Sequence, residues 1–463
     1  MIYFDMTSCL DYIGRNPLGI VRVEMNFVQY GLRHLSPREI TFCYYDRTFL
    51  RMGYLTFSDA QGVLNQIGRP TSQPAAPAQP IEPPPAVNAI PLKRRVKEFL
   101  KACRDAGYVL CRNSPKMTSF LQRCERKVKT VRRGRGESAV PSEVPVSESF
   151  TLNWTSADTF VTVGLIWDYL PLDEIYAWKK RLGFKMVGMI YDLVPYRVPE
   201  YCLGVPPAFF RKVADLIWCA DAIATISECT RADVEAFIEK YQLPRPAVMD
   251  VTHLGMDVGT LQDGYVPVLP ELDVSRLTPG RFILQVGTIE PRKNHALTLL
   301  AWRLLAKDPF PELMPLVVVG AQAWGVGDVM EMARRDRALS PKYLIHSNRV
   351  SDQTLLWLYK NCFMTVYPSF YEGWGLPVSE SLAHGKFCLT GDNGALVEAG
   401  AGLAEHLSPF DAIGWARRLK ELMTHPETVE AANRRIKAEY RGLSWEQSAC
   451  GFYELVKRVG GEA

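Results

Sequence analysis

Two carboxylates, Glu372 and Glu380, bracket the segment Phe370-Tyr371-Glu372-Gly373-Trp374-Gly375-Leu376-Pro377-Val378-Ser379-Glu380. Carboxylates accept hydrogen bonds, so two of them in one short segment suit a ligand rich in hydroxyl groups. Gly373 and Gly375 leave the backbone free to come close to such a ligand. A second segment, Val286-Gly287-Thr288-Ile289-Glu290-Pro291-Arg292-Lys293-Asn294-His295, carries the opposite charge. Arg292 and Lys293 stand where a helix begins, and a helix N-terminus adds its own positive end to theirs. Fixed cations and backbone N–H groups stabilise an anion without reorganising, which suits the departure of a diphosphate. The ordinary readings are a capped helix with a solvated acid, and two solvated loop cations.

These segments must be held by strand-to-helix loops. Phe363 to Tyr367 reads as a buried strand, and Val378 to His384 as the first turns of a helix, with Pro377 suited to its start. Glu380 is then expected in the first helical turn. Short apolar strands alternate with amphipathic helices along the body of the chain, the pattern of parallel α/β sheets. A first series is predicted at Ile2–Met6, Ile40–Tyr44, Thr159–Val163, Lys185–Tyr191, Ala222–Ile226 and Val248–His253, with a helix from about Ile20. A second series runs at Phe282–Val286, Leu316–Val319, Tyr343–His346, Phe363–Tyr367 and Phe387–Thr390, after a break at Gly259 to Pro279.

The acidic segment resembles the signature of the retaining family-four glycosyltransferases, which have the α/β, two-domain GT-B fold. The resemblance implies two Rossmann-like domains with parallel sheets facing a cleft. Residues 1–260 form the N-terminal acceptor domain and 261–440 the nucleotide-sugar-binding domain. A last helix, within 441–463, crosses back. It places Glu372 against the donor sugar and Glu380 on the ribose hydroxyls, with Gly373, Trp374, Gly375 and Leu376 around the donor. The basic segment resembles the family's phosphate-binding element, with Gly287 at the turn. Relatives commonly carry the arginine directly after that glycine, where Thr288 stands here, so its role passes to Arg292 beside Lys293. Gly14 and Gly19 flank the loop after the first strand, and Pro17-Leu18-Gly19-Ile20-Val21-Arg22 resembles the family's glycine-rich loop over the donor phosphate. No Walker lysine pattern or G-x-G-x-x-G follows the first strand.

Related enzymes often carry His-Asp where Tyr191-Asp192 stands, so a histidine contribution from that position is absent. Asp192 could orient the acceptor or the sugar, or simply cap a helix. Ser227-Glu228-Cys229-Thr230 reads either as a family turn or as a helix cap, and Glu398 as a fold residue. No H-E-x-x-H occurs, and the two cations are expected to replace a metal in balancing the diphosphate.

At 463 residues, 47% of them apolar, the chain is long enough for two or three cores. Eleven cysteines without a C-x-x-C pair read as reduced thiols of a cytosolic protein. No secretory leader or transmembrane run is apparent. Residues 66–150 read as an insertion: eight prolines lie within 70–91, and basic amphipathic stretches follow. Residues 93–135 hold fifteen Lys or Arg against three acids, a local +12, so the rest of the chain carries −8 behind a net +4. Such a segment suits contact with an anionic membrane at the inner face of the plasma membrane. A solvated arm for acidic partners is the other reading, and specific nucleic-acid binding is not expected.

The expected activity is hexose transfer from a nucleotide sugar, GDP-mannose being favoured over UDP-hexoses, to a saccharide or lipid-linked glycan in bacterial surface polysaccharide synthesis. The competing expectation is a non-catalytic GT-B subunit that binds nucleotide or glycan.

Overall fold

A computed structural model describes residues 1–68 and 152–461, apart from 16, 18, 48, 49, 167–169, 203–206, 257, 268–276, 308, 340–342 and 349. The proline-rich stretch and the basic segment 93–135 lie outside the described residues.

The first lobe begins with β1 (Ile2–Asp5), α1 (Thr7–Asp11), α2 (Gly19–His34), β2 (Ile40–Asp46), β3 (Arg51–Leu55) and α3 (Phe57–Gln66). It continues with β4 (Thr159–Thr162), α4 (Leu172–Leu182), β5 (Lys185–Ile190), α5 (Val194–Arg197), α6 (Pro207–Cys219), β6 (Ala222–Thr225), α7 (Glu228–Tyr241) and β7 (Val248–Val251). The second lobe holds β8 (Ile283–Val286), α8 (His295–Lys307), β9 (Leu316–Val319), α9 (Gly327–Arg335), β10 (Leu344–Ser347), α10 (Asp352–Asn361) and β11 (Met364–Tyr367). It ends with α11 (Leu376–Ala383), β12 (Cys388–Gly391), α12 (Gly394–Ala399), β13 (Glu405–Leu407), α13 (Ala412–Thr424) and α14 (Pro426–Glu439), and α15 (Trp445–Gly460) closes the chain.

Among the described residues the strands form two sheets, ordered β3-β2-β1-β4-β5-β6-β7 and β10-β9-β8-β11-β12-β13. Strand residues alternate between two buried faces. Val187 and Met189 of β5 enter one core while Met186 and Ile190 enter another. In β9, Leu316 and Val318 divide from Val317 and Val319 in the same way. A sheet covered on both faces needs this continuous apolar run, which is what parallel strands present. Strand order reverses between β1 and β4 in the first sheet and between β8 and β11 in the second. Ligands of open α/β sheets sit outside the carboxyl ends of strands at such reversals. The two charged segments follow β8 and β11.

Two features differ from the sequence reading. The first sheet is not wholly parallel: β3 pairs antiparallel with β2, and Tyr44 faces Gly53. A Cβ on Gly53 would stand 2.4 Å from the Tyr44 ring, so the glycine gives that ring its place. The insertion starts later than 66, because Ile67 is buried and bridges Ile13, and Gly68 N–H donates to Arg15 O at 2.9 Å.

Helix α15 returns to the first lobe. Phe452 and Tyr453 enter its core, where the Phe452 ring lies 4.9 Å from Phe27 and the Tyr453 hydroxyl donates to Phe27 O at 3.1 Å. The face of α2 that meets this core carries an acid, Glu24, which is fully buried. Its Oε1 accepts from Cys9 N–H at 2.8 Å, and a Cβ at Gly164 would sit 2.1 Å from its Oε2. Nearby Asp5 accepts from the Thr7 hydroxyl at 2.5 Å and the Thr162 hydroxyl at 2.9 Å.

Burial, then the charge of Asp5, pushes the Glu24 carboxyl from 4.5 up to about 8. Burial also lifts Asp5 from 3.8 to about 6, against hydrogen bonds from Thr7 and Thr162. The folded chain thus keeps protons that the unfolded chain has released over this interval. The stability this pair contributes is complete below the ordinary carboxyl range and is lost as pH rises towards 8. Glu24→Gln removes Glu24's share of that dependence. Thermal melts from pH 5 to pH 8.5 are expected to show the wild type losing stability steadily and the variant much less, with the two nearly equal at pH 5. Parallel curves would contradict the assignment.

Candidate active site

The cationic corner is built by a forced turn. Gly287 follows β8 with φ +146°, and its N–H donates to Val319 O at 3.0 Å. Pro291–Lys293 then forms a single 3-10 turn, closed by Asn294 in the left-handed region at φ 55°. Asn294 is buried, and its side-chain amide donates to Pro368 O at 3.1 Å and Pro409 O at 2.7 Å. This bolts the turn to the loops after β11 and before α13. Asparagine tolerates the left-handed conformation and supplies both donors, which explains its place here.

The loop after β11 brings Glu372 onto the same corner. Its Oε2 lies 2.6 Å from Arg292 Nη1, and its Oε1 lies 2.6 Å from Lys293 Nζ. Tyr367 and Ser369 hydroxyls donate to Oε1 at 3.0 and 2.6 Å. Arg292 also reaches Glu290 at 2.6 Å and donates to Tyr371 O at 2.8 Å. Burial alone would raise the Glu372 carboxyl, but the charges of Arg292 and Lys293 outweigh it and hold it at about 2. The Lys293 ammonium is lowered, first by burial, against the attraction of Glu372. The two directions pull apart within one ion pair. The short contacts to two cations settle the carboxylate as ionised. The sequence reading assigned Glu372 to the donor sugar and the cations to its diphosphate; here acid and cations meet each other directly.

Asp192 joins from the first lobe. It lies two residues beyond β5, its Oδ1 accepts from Val194 N–H at 3.1 Å, and burial raises its carboxyl while Arg292 lowers it. It therefore supports the start of α5 and faces the corner as well. Tyr191 turns away, burying its ring and donating to Val163 O at 2.5 Å.

Glu380 lies one turn deeper in α11 than expected, since the helix begins at Leu376. It accepts from the Tyr359 hydroxyl at 2.7 Å; burial raises its carboxyl, against Tyr359 and the positive charge of Arg22 across the cleft. Arg22 stands in the first turns of α2, and sequence reasoning gave it no role. Gly375 caps α11 at φ 109°. Gly373 serves a contact other than the one expected: a Cβ there would stand 2.5 Å from Tyr191 O and 2.7 Å from Asp192 Cβ. Its bareness lets the two lobes touch. The Trp374 indole donates to Ser379 Oγ at 3.1 Å and lies 5.0 Å from His253, while Leu376 packs against the first lobe's core. Gly14, at φ 72°, donates to Gln66 O at 3.1 Å, and the Cβ position of Gly19 has no heavy atom within 4 Å.

A clasp between the lobes was not read from the sequence in this form. Ser227 caps α7 through Thr230 N–H at 2.9 Å, and Thr230 Oγ1 donates towards Tyr191 O at 3.2 Å and Gly373 O at 3.3 Å. Glu398, in α12 of the second lobe, accepts from Glu228 N–H at 2.8 Å and Cys229 N–H at 2.7 Å. Tyr371 donates to Asp233 at 2.6 Å. A carboxylate from one lobe thus caps a helix of the other, favoured by that helix's positive end.

Residues 274–441 match the family Glycosyl transferases group 1. This segment is thus similar to the glycosyltransferases of that group. It contains Arg292, Lys293, Glu372 and Glu380. The serotype-specific mannosyltransferase WbdA of Escherichia coli is 27% identical over 288 residues, 60% of this chain and 33% of that one. The O-antigen chain mannosyltransferase B of Escherichia coli is 26% identical over 265 residues, 57% of this chain and 67% of that one. The match therefore spans a third of the first relative and two thirds of the second. The crystal structure of Anabaena Alr3699/HepE with UDP and glucose superposes at TM-score 0.58, with 13% identity over 99% of both chains. The architecture is that of the GT-B glycosyltransferases.

Glu398→Ala strips two helix N–H groups of their acceptor, and loss of such a cap costs about 1 kcal/mol. The expected outcome is a lower thermal midpoint, mostly recovered by Glu398→Gln, which keeps an acceptor oxygen. A midpoint unaffected by the alanine would remove Glu398 from the clasp.

Proposed function

We propose that the protein is a retaining hexosyltransferase that moves a hexose, mannose before others, from a nucleotide donor, GDP-mannose before UDP-hexoses, to a glycan or lipid-linked glycan in surface polysaccharide synthesis. The observation that carries this reading is the buried Arg292–Glu372–Lys293 triangle, set where strand order reverses in the segment that matches group 1. The mannosyltransferases to which the chain is similar support the choice of sugar.

In this reading the donor diphosphate takes over Arg292 and Lys293, which face it as the sugar–phosphate bond breaks. Glu372, released from part of its pairing, accepts hydrogen bonds from the sugar hydroxyls and offsets positive charge developing at the anomeric carbon. The acceptor oxygen forms its bond on the face the nucleotide leaves, and its proton passes to the departing phosphate oxygen. Asp192 orients the acceptor from the other lobe. Glu380 holds the ribose. The two cations balance the diphosphate charge, and no step is assigned to a metal.

Incubation with a panel of nucleotide sugars and glycans, followed by NMR of the product's anomeric proton, tests donor and stereochemistry together. Retention with GDP-mannose is expected; inversion, or no nucleotide released from any donor, would overturn the reading and favour a binding subunit. Glu372→Gln is expected to lower kcat by roughly 10²–10³, the usual loss on removing one preorganised electrostatic partner. Near-normal turnover in a folded variant would end the role given to Glu372. Lys293→Ala is expected to weaken GDP binding in isothermal titration, and equal affinity would exclude it from the phosphate site.

A further inference from the structure

Three aromatic rings form a ladder beside the charged corner, and none of the roles above uses them. Tyr201, from the 3-10 turn Pro199–Tyr201 of the first lobe, stacks on Phe370 of the second with ring centres 4.0 Å apart and planes 8° apart. Phe410 extends the ladder, 5.0 Å from Phe370. Each rung is tied to the corner through its own backbone or its neighbour. Phe370 N–H donates to Arg292 O at 2.9 Å. Pro409 O, just before Phe410, accepts from Asn294 at 2.7 Å, next to Lys293. Cys202, just after Tyr201, lies within the electrostatic reach of Arg292, Asp192 and Glu290. The outer rung is bare: Phe410 is 73% exposed, and Ile413, in the first turn of α13, is 67% exposed. A ring so uncovered adds little to the core, and an apolar surface at the mouth of a polar site marks a contact.

We infer that this ladder is the acceptor subsite, with a pyranose ring of the acceptor glycan laid against the open face of Phe410. This inference rests on the transferase reading. The rings adjoin the residues assigned to the donor's diphosphate and sugar, and what must lie there is the sugar whose hydroxyl attacks. A lipid tail would be held away by at least that sugar and its phosphate link. A pyranose has an apolar face of axial C–H groups and a rim of hydroxyls. The ladder matches both features, a flat ring face with Glu200, Glu290 and Asp192 on or near the segments that carry it.

The test measures Phe410→Ala, with Phe410→Trp as the conservative variant, using the glycan that the panel above identifies as the best acceptor. The alanine is expected to raise the acceptor KM about tenfold, as loss of a stacked ring contact predicts, with a much smaller effect on the donor KM; the tryptophan restores it. An acceptor KM equal to wild type in a folded alanine variant would overturn the subsite. So would an equal rise in the donor KM, which would place Phe410 on the corner itself. Comparing the same glycan on a polyprenyl diphosphate and on a water-soluble aglycone separates sugar from lipid: a loss confined to the lipid-linked acceptor overturns the pyranose assignment. A wild type that transfers to no glycan sinks the transferase reading first, and the subsite with it.

Discussion

One buried carboxylate governs the second lobe's charged corner. Glu372 lies almost out of water, and an ionised acid in that position is costly unless it is paired and hydrogen-bonded. It is both: Arg292 and Lys293 contact its two oxygens, and Tyr367 and Ser369 donate to one of them. The cations need the acid equally, since burial works against the charge of each. With Glu290 on the far side of Arg292, the corner holds two cations and two acids in contact. Such a set can stand without a ligand, and in the proposed reaction the donor's diphosphate exchanges one anionic partner for another rather than entering a repulsive pocket. In the proposed reaction this exchange is what frees Glu372 for the sugar.

The peptide that carries Glu372 is also the seam between the lobes. Phe370 stacks on Tyr201, Tyr371 donates to Asp233, and Gly373 lies against Tyr191 and Asp192, all in the first lobe. Only the Glu372 side chain turns back to its own lobe's cations. First-lobe contacts through the residues on both sides of Glu372 hold the peptide in place and leave its side chain directed at the two cations. Glu398 and Thr230 close the same seam from α12 and α7. A relative movement of the lobes must therefore pull on the residue that meets the sugar in the proposed reaction, so cleft geometry and the position of Glu372 are one variable.

Much of this was legible in the sequence, for an identifiable reason. Buried parallel strands are short apolar runs, and runs such as Leu316–Val319 declare themselves without tertiary context. The charged segments were visible because glycine and proline mark the loops that hold them. What stayed hidden depends on partners far along the chain. Lys293 and Glu372 are 79 residues apart, and no local pattern says that acid and cation pair directly. Gly373 looked like a ligand contact because the first lobe's backbone at Tyr191 is a remote neighbour. Glu24 sits on the buried face of α2, where the helical period calls for an apolar residue. The β3 edge strand was missed because Gly53 weakens its signal, and that glycine is explained only by the Tyr44 ring lying over it.

The position where the family resemblance leads one to expect a histidine shows how sequence and structure divide the work. Tyr191 occupies it, yet the side chain is buried in the first lobe's core and its hydroxyl is spent on Val163 O, so no group from that position reaches the corner. The backbone of Tyr191 does reach it, through Gly373 and Thr230. The tyrosine thus contributes core packing just beyond the end of β5. Asp192, the next residue, is then the first lobe's carboxyl in the field of Arg292, Glu372 and Lys293. In the proposed reaction the departing phosphate takes the proton, so the first lobe need not supply a base. It must only hold an acceptor hydroxyl in line, and a carboxyl on a firmly anchored strand end can do so.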